Sequence, residues 1–139
     1  MPTKKKKLSV RTLQVYVQTL TDAIKLYSSQ PYVPKRMFTG VATNGQVCYC
    51  AAGAIGASYR HWKCGLLPSG LPEVGDAVAL SDRLCRPGMK AWGYGDNMSL
   101  YEVNDQYGPD TSSSVMKHSL AYWQQRLKKA LKARKAVMA

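Results

Sequence analysis

The sequence predicts a mostly α fold: one compact domain of four to five helices, with room for a single small β-hairpin. Three observations carry this reading. Apolar residues recur at helical spacing over residues 9–28, small residues crowd 51–57, and a second helical stripe runs through 111–135. The chain's 139 residues make one domain at about 100–200 residues each. Its 45% hydrophobic content is enough for a core, which excludes disorder over the whole length. No apolar run approaches the roughly 18 residues of a membrane-spanning helix, so a membrane is not among the expected partners.

Residues 1–8 read as a basic, flexible arm, and residues 9–139 as a single helical domain ending in a basic helix. Ser9 can cap the first helix. Leu13, Val17, Leu20 and Ile24 form its stripe, widened by Tyr16, Ala23 and Tyr27. Pro31 and Pro34 break that helix. Lys35–Thr43 and Gln46–Tyr49 then read as two extended segments about the Asn44-Gly45 turn. Ala51–His61 is expected as a buried central helix. Its two interior glycines each cost about 1 kcal/mol against alanine, which close packing can offset. Lys63–Pro72 reads as a loop and Pro72–Cys85 as a third helix, ended by Arg86-Pro87-Gly88. Ser99 and Glu102 have the spacing of a capping box for a short fourth helix, and Gly108-Pro109 is a turn. The last helix, from Thr111 to Lys135, has Met116, Leu120, Trp123, Leu127 and Leu131 on its apolar face. Lys128, Lys132 and Lys135 lie on another face of it.

Cys50-Ala51-Ala52-Gly53-Ala54-Ile55, and further on Asn104-Asp105 before the last helix, give the chain a pattern. It resembles a family of short, uncharacterised proteins of bacteriophage and bacterial genomes, in which a C-A-x-G-A-[IL] helix precedes an N-D motif and a terminal helix. The order of elements agrees over about residues 10–130. Val103 stands where that family has tryptophan, and the lysine-rich ends lie outside the pattern. The resemblance implies a mostly helical domain in a phage or prophage setting and implies no activity.

Charge is segregated along the chain. The formal net charge is +12, with 20 basic and 8 acidic residues. Lys4, Lys5, Lys6, Lys7 and Arg11 hold five of the basic residues. Arg126, Lys128, Lys129, Lys132, Arg134 and Lys135 hold six. All of the acidic residues lie between these two groups. A nearly neutral body with two basic ends suits a polyanion, since each cation that neutralises a phosphate releases a counterion. The leading expectation is therefore a non-enzymatic accessory or virion-associated protein that binds nucleic acid through these eleven residues, mainly by phosphate contacts. The solvated-tail reading explains two like-signed ends less well. The start of the chain lacks the apolar h-region of a secretory signal. The expected location is the cytoplasm of an infected or lysogenic bacterial host, or the virion.

Two other readings use different residues. Trp92 and Tyr94, in a glycine-rich loop, could serve a protein-binding module such as a phage inhibitor of a host factor. Cys50 at a helix start could be a nucleophile, with His61 or His118 as base and Asn104 or Asp105 orienting it. His61 lies about three turns along the same helix, too far to reach Cys50 directly. Cys48, Cys50, His61 and Cys64 suggest zinc, but the C-x-C spacing with single, irregular partners is not that of known structural sites. No cofactor is expected, and buried, reduced thiols are the preferred reading of the cysteines.

Overall fold

Ser9 starts the first helix: its Oγ accepts from the Thr12 amide at 3.1 Å and its carbonyl takes the Leu13 amide at 3.0 Å. That helix, α1 (Val10–Ser28), buries Leu13, Tyr16, Leu20, Ala23 and Tyr27 along the expected stripe. The computed structural model describes residues 7–29, 39–41, 47–64, 74–94 and 98–138. Lys4, Lys5, Lys6 and the start expected for the third helix at Pro72 lie outside that set. β1 (Thr39–Val41) and β2 (Val47–Tyr49) pair antiparallel, with Gly40 opposite Cys48.

The second helix, α2 (Ala51–Cys64), is longer than its sequence suggests, since Lys63 and Cys64 are helical rather than loop. Residues 51–58 are all buried. A helix buried on every side has to be made of small residues, and alanine and glycine allow α1, α3 and α4 to close around it.

The third helix, α3 (Val74–Ala91), corrects the sequence reading. It does not end at Arg86-Pro87-Gly88 but runs through Pro87 for another turn. An interior proline removes an amide and crowds the preceding turn, at about 3 kcal/mol. The last helix supplies partners at this point. Trp123 Nε1 donates to the Leu84 carbonyl at 2.8 Å, and the Gly88 amide donates to Ser119 Oγ at 2.9 Å. Pro87 has no amide to offer the Arg83 carbonyl, and these two bonds tie α3 to α4 on either side of it.

The fourth helix, α4 (Leu100–Met138), is interrupted at Gly108, where φ is 85° and ψ is −178°. This left-handed position strains any residue with a Cβ, so glycine there is a requirement of the turn. Its first arm begins against Asp82, which accepts from the Leu100 amide at 3.0 Å and from Ser99 Oγ at 2.9 Å. The Ser99 amide donates to Glu102 Oε1 at 3.4 Å, so half of the capping box forms and Asp82 supplies the rest. Leu100 and Trp123 thus reach α3 within two residues of each other, although a straight helix would hold them about 35 Å apart. The second arm therefore folds back antiparallel to α3. Taken as a whole, α4 runs against α1: Tyr27 meets Asn104 on the first arm, and Tyr16 packs edge-on to Trp123 on the second at 5.0 Å.

The result is a compact helical domain whose core is shared by all four helices, with Leu20, Ile55, Leu84, Met89, Val103 and Met116 fully buried. The apolar stripe of α4 is shorter than its sequence suggests. Leu131 is 36% exposed, and residues 131–137 are all exposed, because α4 has outrun the described elements it packs against. Among the described residues, no helix is long and apolar enough to cross a membrane.

Candidate nucleic-acid interface

Because α4 as a whole runs against α1, the start of one lies toward the far part of the other. Lys7 and Arg11 are exposed at the start of α1. On α4, Lys128, Lys129, Lys132, Arg134 and Lys135 are exposed, while Arg126 is half-buried with its guanidinium 5.4 Å from the centre of the Trp123 ring. Leu8 and Arg126 line the same groove. Lys7 and Arg11 on one side and Arg126 on the other, more than a hundred residues apart in sequence, therefore lie toward the same end of the described domain. No acidic residue follows Asp110, so the second arm of α4 adds only positive charge to that end.

The groove, about 460 Å³, lies between the start of α1, the second half of α3 and the middle of α4. Its apolar floor is Leu8, Tyr16, Pro87 and Trp123. Trp123 is fixed by its bond to Leu84, by the edge of Tyr16, and by Tyr122 at 4.9 Å and 82°. Tyr122 is 39% exposed at the rim. The polar wall is cationic: Arg83, Arg86, Lys90 and Arg126. Among the described residues, no acid lines it. Arg86 Nη1 donates to the Met98 carbonyl at 3.2 Å, which holds that guanidinium against the connection into α4.

Arg83, Arg86 and Lys90 were not among the residues that charge placement singled out. Their signal was available: positions i, i+3 and i+7 share one helix face. It is visible only if the helix continues past Pro87.

The second constellation is brought together in part. Cys50 caps α2, its Sγ accepting from the Gly53 amide at 3.3 Å. Asn104 Oδ1 accepts from the Ala51 amide at 3.3 Å and from Tyr27 Oη at 2.5 Å, while Nδ2 donates to Asp105 Oδ1 at 3.3 Å. The two motifs of the resemblance, Cys50–Ile55 and Asn104-Asp105, thus touch. Asn104 joins three helices: α4, which carries it, α2 through Ala51 and α1 through Tyr27.

The electrostatics do not favour a thiolate at Cys50. Burial pushes the thiol up and the charge of Asp105 adds to this, against the helix amides of Gly53 and Ala52 that pull it down. Cys85 is fully buried, and its thiol is raised further by burial and by Asp82. His118 is exposed on α4, about 20 Å of helix beyond Asn104. The side chains of Cys48, His61 and Cys64 lie outside the described residues, and the zinc reading with them. Alkylation at pH 8, mapped by mass spectrometry, should leave Cys50 and Cys85 unlabelled in the native protein and label both in denaturant. Rapid native labelling of Cys50 would restore the nucleophile reading.

Searches of protein-family models, of curated proteins and of solved structures return no match.

Proposed function

We propose that this protein is a non-enzymatic nucleic-acid binder whose basic termini form one phosphate-contacting end. The carrying observation is the antiparallel pairing of α1 with α4, which supports a shared end for Lys7, Arg11, Arg126, Lys128, Lys129, Lys132, Arg134 and Lys135; Lys4, Lys5 and Lys6 precede it in the chain. The last turns of α4 project beyond the body, so their cations can approach a backbone without unfolding anything. Positive side chains there are also favoured by the helix dipole. The resemblance in the Cys50–Ile55 and Asn104-Asp105 motifs suggests an accessory or virion-associated role in a phage or prophage setting, in the host cytoplasm or the virion.

Fluorescence anisotropy with mixed-sequence DNA and RNA across a salt series tests this reading. Affinity should fall steeply with salt, with a log–log slope of about −0.9 per phosphate contacted on duplex DNA. Exchanging Lys4–Lys7, Lys128, Lys129, Lys132 and Lys135 for glutamine should flatten the slope by several units while the helical circular dichroism persists. If the unaltered chain binds neither nucleic acid at low salt, the reading fails.

A second reading has its own observation. Trp92 is 46% exposed, and Tyr94 stacks on the half-exposed Tyr107 at 5.4 Å, next to the Gly108 turn and some 40 Å of helix from the end of α4. This aromatic patch favours a protein-binding module. Under that reading, Trp92→Ser abolishes capture of the partner and the glutamine exchanges do not.

A further inference from the structure

We infer that the groove between α1, α3 and α4 holds one unpaired nucleotide of a single strand, its base against Tyr122 and its phosphate between Arg83 and Lys90. The inference rests on the nucleic-acid reading above and deepens it by naming the form of nucleic acid.

Three features select this occupant. The first is size: 460 Å³ falls within the range of small-ligand sites and cannot admit a duplex. The second is charge, since cations from two helices face the groove and no described lining residue opposes them. The third is the exposed ring. Tyr122 is held edge-on by Trp123 and presents partly open surface, so little freedom is lost when a base stacks on it. A base inside a duplex is already stacked on both faces and cannot use this ring. Arg83 and Lys90 are exposed on the same face of α3, about 10 Å apart along its axis, on either side of Pro87. Arg86 and Arg126 are already placed, one on the Met98 carbonyl and the other over Trp123. Leu8 lines the groove, and the exposed Lys7 and Arg11 flank it in the chain, so a strand seated in the groove can continue onto those cations.

The test compares a labelled 12-nucleotide single strand with a duplex of the same length, using the full chain. Tyr122→Ala should weaken single-strand binding about 5- to 30-fold and leave the duplex within twofold. Tyr122→Phe, which keeps the ring, should restore the single strand. Arg83→Gln with Lys90→Gln, both exposed sites where folding is not at stake, should weaken the single strand more than the duplex. If these variants weaken both forms alike, or neither, the groove inference falls while the phosphate-contacting end stands. Displacement of the strand by an equimolar free nucleoside monophosphate overturns the assignment to a strand. Absence of binding to either form at low salt overturns both readings together.

Discussion

Gly88→Ala is expected to lower the stability of this protein by about 3 kcal/mol or more, read as a drop in the urea midpoint at unchanged slope. The sign is the informative part. At an ordinary position inside a helix the same exchange stabilises by about 1 kcal/mol. Here a Cβ on Gly88 would fall on the Val115 carbonyl oxygen and within 2.6 Å of Ser119 Oγ. The serine can rotate away, but the carbonyl is helix backbone and cannot. To make room, α3 and α4 would have to separate. That would lengthen the Gly88–Ser119 and Trp123–Leu84 bonds that carry α3 past Pro87. Ser119→Ala removes one acceptor without adding volume and should cost only about 1–2 kcal/mol. A Gly88→Ala protein as stable as the parent would mean that the helices do not approach this closely.

Asn104→Ala should be nearly as damaging, at about 3 kcal/mol. Asn104 is 1% exposed, and its Oδ1 serves the first amide of α2 and the hydroxyl at the end of α1. Both donors are buried and would lose this acceptor, at about 1–3 kcal/mol each, less whatever the site recovers by rearranging. Tyr27→Phe removes only one of the two donors and should cost about 1 kcal/mol. A double-mutant cycle on Tyr27 and Asn104 should give a coupling of at least about 0.5 kcal/mol. An Asn104→Ala loss below about 1 kcal/mol would show that the side chain is not the joint described here. If it lost nucleic-acid binding while remaining fully stable, the residue would belong to a site rather than to the frame.

Local chemistry accounts for the parts of the fold that could be read in advance. The stripe of α1, its Ser9 cap, the small-residue helix α2 and the turn at Gly108 each depend on residues close in sequence. The passage of α3 through Pro87 depends on Trp123 and Ser119, more than thirty residues away, and no local rule could supply them. That one missed continuation hid the Arg83–Arg86–Lys90 face and so the groove. Leu131 shows the opposite case: the helical period continues, yet the residue is 36% exposed and outside the described core. At the candidate interface, charge counting picks out the two basic ends, and only the pairing of α1 with α4 sets the start of α1 toward Arg126. Asn104-Asp105 stood out as a motif, yet its partners Tyr27 and Ala51 come from elsewhere in the chain.

The dependence of both α1 and α3 on the second arm of α4 sets a timetable for the newly made chain. Tyr16 is translated more than a hundred residues before its partner Trp123, an interval of about 5–20 s at typical elongation rates. During that interval α2 is in place for α1 to pack on, but the part of its apolar face that meets α4 has no final partner, and α3 at Pro87 lacks the indole and hydroxyl that tie it to α4. A ribosome stalled before Ser119 therefore carries a chain with most of its helices encoded and its greasy surfaces still open, a ready client for a chaperone or a protease.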